Sequence, residues 1–271
     1  MSALTREVIF EELGLMPLWT RRELLEVQAA EAANETPVEP VAAPAPDARV
    51  QSVLAPTKRP VTVEKAAETP APQALDRDSR AREIALMDWD TLQTAVASCT
   101  ACELCKSRSQ TVFGVGQPDA DWLVVGEAPG AEEDKQGEPF VGQAGKLLDN
   151  MLAAVDRSRK ENVFILNTLK CRPPQNRNPD PTEQALCAPF LHRQVELIKP
   201  KVILATGRFA VQVLLGREAS ISSLRGKLHD YRGIPVVVTY HPAYLLRNMP
   251  DKIKAWRDLV LARKTLERVG E

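Results

Sequence analysis

Four short apolar runs recur along the chain: WLVVG (122–126), NVFILNT (162–168), KVILAT (201–206) and PVVVTY (235–240). Each is almost continuously apolar rather than alternating, which is the pattern of strands buried on both faces of a parallel sheet. Helical spacing fills the intervals at 143–156, 181–198 and 207–215, and a further helix is predicted around 251–267. IALMDWDTLQTAVASC (84–99) reads as a helix leading into the first cysteines. Strands alternating with helices predict a doubly wound α/β sheet. In such sheets chemistry gathers beyond the carboxyl ends of the strands, here 126–130, 167–177, 206–208 and 241–248.

Upstream the pattern fades. No aromatic residue occurs between Trp19 and Trp89, and residues 31–80 hold 8 of the 21 prolines together with 11 alanines. Such a segment has little to bury, so 31–80 is predicted to be a disordered, partly extended linker. Before it, residues 1–30 carry a short amphipathic segment in which Ile9, Leu13 and Met16 share a face and Pro17 marks a break. This arm is expected either to bind a protein partner or to be a marginal terminal helix. The globular part is expected over 84–271.

The 271 residues are enough for one or two domains, and 44% apolar with 26% charged residues excludes collagen-like, mucin-like and wholly disordered chains. No apolar run reaches the ~18–20 residues of a membrane span, and no basic-then-apolar leader opens the sequence. The net charge of −1 is uneven: residues 1–85 carry −4, which leaves +3 for the rest. A mildly basic globular part is compatible with a nucleic-acid partner without requiring one.

The five cysteines all lie within 99–187. Cys99, Cys102 and Cys105 form C-x2-C-x2-C, and Cys171 and Cys187 lie further on. An odd, clustered set is a poor disulfide framework and suits a metal site in a reducing cytosol. Cys99, Cys102, Cys171 and Cys187 are the simplest set of four ligands, with Cys105 spare. Spacing alone leaves zinc, an iron–sulfur cluster and independent thiols all open.

Several ordered motifs carry a resemblance. CTAC (99–102) and FGVGQPDA (113–120) are followed by VVGEAPGAEEDKQGEPFVGQAGKLLD (124–149), NTLKCRPPQNRNP (167–179) and Cys187. ISSLRGK (221–227) and HPAYLLRN (241–248) complete the series. Over about 90–265 the sequence resembles the family 4 uracil-DNA glycosylases, which carry an iron–sulfur cluster. The resemblance implies a three-layer α/β/α sandwich around a four-stranded parallel sheet, and it favours a [4Fe–4S] cluster as cofactor over zinc. The implied partner is uracil-containing DNA, with no membrane role, a monomeric enzyme and a cytoplasmic location.

The resemblance also assigns roles. Glu127 would hold water near the anomeric carbon and offset cationic charge on the sugar, and His241 would donate to uracil O2 as the base departs. The amide of Ala128 would also reach O2. Phe140 would stack on the flipped base, Asn167 would read uracil O4 and N3–H, and Glu133 would crowd the methyl of thymine, with Glu132 and Asp134 as rivals for that place. Asn176 matches the pocket region. Leu246 or Arg247 would wedge into the vacated stack. Arg172, Arg177, Arg225 and Lys227 are candidate phosphate contacts, while His192 and His229 have no assigned part. The expected activity is hydrolytic removal of uracil from DNA without a lyase step. The competing readings are a non-catalytic nucleic-acid-binding module built on the cysteines, and a glycosylase of broader base scope.

Overall fold

The computed structural model describes residues 72–269. The arm 1–30 and residues 31–71 lie outside the described residues. Residues 72–80, read above as the end of the linker, are helical: α1 spans Pro72–Leu86. Pro72 takes the first helical position, where its missing N–H costs nothing, and ordinary helix formers follow. The single helix expected over 84–99 is two helices. Asp88 accepts a hydrogen bond from Thr91 N at 2.9 Å and starts α2, Trp89–Ala97, as a separate helix.

The remaining elements follow in order: β1 (Val115–Gly116), β2 (Trp122–Gly126), α3 (Ala131–Gln136), α4 (Gln143–Ala153), β3 (Val163–Asn167) and α5 (Pro181–Ile198). Then come β4 (Val202–Thr206), α6 (Arg208–Leu215), α7 (Ile221–Leu224), β5 (Leu228–Tyr231), β6 (Ile234–Thr239), α8 (Pro242–Arg247) and α9 (Lys252–Val269). The start of α5 is written into NPDPTE: Asp180 caps Thr182 N, Pro181 occupies the first turn, and Glu183 returns a bond to Asp180 N.

The sheet has six strands in the order β1-β3-β2-β4-β6-β5. The four central strands are the predicted ones, and they are parallel. The two extra strands are antiparallel edges, which corrects the expectation of four. Neither could be read as a buried strand, because β1 is two residues long and LHDY of β5 is mostly exposed and polar.

Side-chain alternation divides the core into two layers. Leu123, Val125, Phe164, Leu166, Ile203, Ala205, Val236 and Val238 face α5 and α6 through Leu191, Val195, Ala210 and Leu214. Trp122, Val124, Ile165, Val202, Leu204 and Val237 face α4 and α9 through Leu148, Leu152, Leu259 and Ala262. Each fully buried aliphatic or aromatic side chain contributes roughly 1.5–3 kcal/mol, so apolar runs facing helices on both sides make the sheet a rigid platform. Its parallel strands end nearly flush: Gly126 is aligned with Asn167, and Thr206 with Thr239.

Candidate active site

Because the parallel strands end in register, the residues that follow them converge on one cleft of about 740 Å³. Glu127 and Ala128 enter it from β2, Asn167 from β3, Arg208 from the start of α6, and Tyr240 and His241 from the end of β6. Phe140 enters from the turn between α3 and α4. The floor depends on Gly126, where a Cβ would collide with Asn167 Oδ1 and with the Phe140 ring. Only glycine lets the strand end, the amide and the ring approach this closely.

Asn167 is 2% exposed, and its side-chain oxygen has no hydrogen-bond partner within the protein. Buried polar atoms are nearly always paired, so an orphaned amide oxygen on a cleft wall marks a place where a ligand donor belongs. Its backbone carbonyl is held by Lys170 Nζ at 2.9 Å.

Burial pushes the Glu127 carboxyl up to about 7, with the Arg208 guanidinium acting against the shift. His241 is also buried, which pushes its imidazole down to about 4 with help from Arg247, while Glu133 opposes. The ring is therefore neutral at physiological pH. Its Nδ1 accepts from Ala243 N at 3.2 Å, which places the ring proton on Nε2. The Phe140 and His241 rings lie 5.5 Å apart and 29° from parallel.

Of the acidic run 132–134, Glu133 is the member that lines the cleft. Its carboxylate accepts from Gly130 N, Val141 N and Gly142 N at 3.0–3.1 Å. Glu132 pairs with Lys135 at the surface, and Asp134 is buried with both oxygens on Ser109 N. Asn176 and Arg177 also line the cleft. Arg172 Nε donates to Asn176 Oδ1 at 2.8 Å. Arg177 forms a fork on Glu183 at 2.9 and 2.6 Å. Arg247 lines the cleft mouth beside Leu246, which is 41% exposed.

Arg225 lies outside the cleft lining. Its guanidinium is bound to the fully buried Asp258 and to Lys254 O, which ties the turn after α7 to α9. Lys227 is exposed, outside the cleft lining. His192 bonds Tyr231 OH and His229 bonds Leu224 O, both away from the cleft.

Cys99, Cys102, Cys171 and Cys187 line a second, small cavity, and Cys105 does not. Arg108 donates to Cys171 Sγ at 3.0 Å, Arg80 to Cys99 Sγ at 3.6 Å, and Lys170 N to Cys187 Sγ at 3.3 Å. Burial pushes the Cys187 thiol up to about 12. Among the described residues, no three His, Cys, Asp or Glu converge closely enough to hold a single metal ion. Ala128 of the cleft packs against Leu104, Leu169 and Cys171, so the two regions share a wall.

The sequence profile of the uracil DNA glycosylase superfamily matches residues 113–260. A type-4 uracil-DNA glycosylase of Thermotoga maritima is 44% identical over 179 residues, 65% of this chain and 93% of the relative. The chain belongs to the type-4 uracil-DNA glycosylases. A second type-4 enzyme, from Archaeoglobus fulgidus, is 44% identical over 165 residues, 58% of this chain and 82% of the relative. A type-5 uracil-DNA glycosylase of Thermus thermophilus is 31% identical over 138 residues, 46% of this chain and 61% of the relative.

The superfamily match takes in every residue of the cleft but begins after Cys99, Cys102, α1 and α2. In this member of the type-4 uracil-DNA glycosylases the cleft is also lined by residues to which sequence reasoning gave no part, Tyr240 and Arg208 among them. Both sit at strand ends, the one signal that could have found them. No helix among the described residues is long and apolar enough to cross a membrane.

Proposed function

We propose that this chain removes uracil from DNA by hydrolysing the N-glycosidic bond of a flipped-out nucleotide, leaving an abasic site for base-excision repair. The observation that carries this reading is the orphaned Asn167 oxygen in a cleft that also holds a carboxyl poised near neutrality and a neutral histidine.

The base leaves the helical stack and enters the cleft. It stacks on Phe140, since every base has a π-face. Asn167 Oδ1 accepts from uracil N3–H and its amide nitrogen donates to O4. Cytosine presents the opposite pattern and would leave buried groups unpaired, a heavily penalised state. The clamped Glu133 carboxylate stands where a thymine methyl would come. The Ala128 amide and Asn176 complete the pocket.

As the C1′–N1 bond breaks, its electron pair goes to uracil and negative charge grows on O2. His241 Nε2–H donates to that oxygen. Positive charge grows on the sugar, where ionised Glu127 stabilises it, orients the attacking water and takes its proton as the new C1′–O bond forms. No lysine lines the cleft among the described residues, which supports hydrolysis without a Schiff base. Leu246 and Arg247 at the end of α8 fill the vacated stack. Arg172, Arg177 and Lys227 supply positive charge along the DNA path.

The four sulfurs around one cavity, attended by Arg108, Arg80 and Lys170, fit a cofactor that is net negative and bound by thiolates. Cys99, Cys102, Cys171 and Cys187 would hold a [4Fe–4S] cluster, whose several metal atoms suit sulfurs spread wider than one zinc ion needs. Held by these cysteines, it would tie the loop after α2 to the loop after β3 and to α5. The unpaired cysteines fit a reducing compartment, and we place the enzyme in the cytoplasm, acting as a monomer. A protein prepared anaerobically is expected to be brown; a colourless active protein with one zinc would overturn the cluster assignment.

The deciding experiment is incubation with an oligonucleotide holding a single uracil, followed by alkali. Strand breakage at the uracil is the expected outcome, whereas binding without breakage would favour the non-catalytic module.

A further inference from the structure

We infer that Arg159 is a positioning residue for the base-stacking ring: with Glu133 it grips one peptide unit, Phe140–Val141, from both sides and so fixes the Phe140 ring in the cleft floor. This rests on the reading of Phe140 as the stacking surface.

Phe140 has φ +55°, in the left-handed region that aromatic residues rarely adopt. Such a conformation persists only where the surroundings over-determine it. Arg159 Nη2 donates to Phe140 O at 2.7 Å and Nη1 to Pro139 O at 3.3 Å. Its Nε is anchored on Asp149 of α4 at 2.7 Å, and its side chain is only 16% exposed. On the other side of the same peptide, Glu133 Oε1 accepts from Val141 N and Gly142 N. A guanidinium thus holds the carbonyl end of the peptide dipole and a carboxylate holds the amide end. The carbonyl is also hemmed in by Gly145, where any Cβ would collide with it.

Rotating this peptide would swing the Phe140 ring, and that ring lies nearly parallel to His241. Losing Arg159 therefore releases the stacking surface beside the O2 donor while removing no group that touches the base. Arg159 reaches this turn from beyond the end of α4, outside the cleft lining.

A double-variant cycle on the full-length enzyme tests the inference, with steady-state excision, active-site titration and thermal melting measured on each variant. Phe140→Ala is expected to lower kcat/KM by about 10- to 100-fold, as loss of base–aromatic stacking does. Arg159→Met is expected to lower it by about 10-fold, mostly as a raised KM, and Arg159→Lys by about 3-fold, since one donor survives. In the Phe140→Ala background, Arg159→Met should cost less than about 2-fold, because the group it positions has gone. An equal loss in both backgrounds, or a loss confined to the titrated active fraction, would overturn the inference. Full activity of Phe140→Ala would instead overturn the stacking reading. Should Arg159→Met fail to fold, Arg159→Lys and Asp149→Asn carry the same cycle.

Discussion

Glu127, just after β2, and His241, just after β6, are an acid and a base of one cleft under the same physical pressure. Burial drives both toward the uncharged form: the Glu127 carboxyl rises to about 7 and the His241 imidazole falls to about 4. For the reaction the two results differ. A neutral imidazole whose proton is fixed on Nε2 is already the hydrogen-bond donor that departing uracil needs, and its second nitrogen is occupied by Ala243 N. A neutral carboxyl is not the base that water and a cationic sugar need, so Glu127 must ionise first. Desolvation completes one group and holds the other at a threshold, and only the second should impose a pH dependence near neutrality.

Removing either group should break this symmetry most visibly. Glu127→Ala and His241→Ala should each lower single-turnover excision by ~10²–10³, with DNA affinity nearly retained. Wild-type excision should climb through about pH 7 as Glu127 ionises; that limb should vanish in Glu127→Gln and survive in His241→Ala. A pH limb that survives the loss of Glu127 would assign it to another group.

Asn167→Asp should come next, at ~10²-fold loss on uracil with little gain on cytosine, because an anion would face O4. Wild-type uracil excision by this variant, measured on matched oligonucleotides, would remove Asn167 from base reading.

Stability should move the opposite way from activity. A carboxyl whose folded pKa lies above its unfolded value stabilises the fold most below about 4.5, and that stability is lost as pH rises through about 7. Glu127→Gln should therefore melt higher than wild type at pH 8, by roughly 1–3 kcal/mol in stability, and nearly level with it at pH 4.5. An equal shift at both pH values would show that charge burial is not the cause.

The smallest effect is expected from deleting residues 1–71, where no site residue is assigned. Excision on naked oligonucleotides should stay within about 2-fold. Cutting further into α1 removes Arg80, which bonds Cys99 Sγ and Leu186 O, and should loosen the cysteine cavity, read as faster loss of visible absorbance in air.

The four central strands were legible because a strand buried on both faces has no polar positions to disguise it. The cleft followed from their carboxyl ends, and Asn167, Glu127 and His241 lie on them. The edge strands were not legible, since β5 buries only Tyr231 of its four residues and β1 is too short to show a period. The partners of Arg225 and Arg159 were not legible for a shared reason. An arginine on the surface and one locked on a buried aspartate or a strained turn look alike in sequence, and only the fold supplies the partner. Glu133 was placed at the cleft, but its three backbone bonds depend on a turn whose left-handed Phe140 no local pattern announces.

Gly126 has a consequence for how this enzyme can diversify. Any side chain there would strike both the amide that reads the base and the ring beneath it, so the floor offers no room for a graded series of pocket depths. New base preferences must therefore arise from the walls and the mouth, through Glu133, Asn176, Arg208 or Tyr240, while the floor is inherited whole.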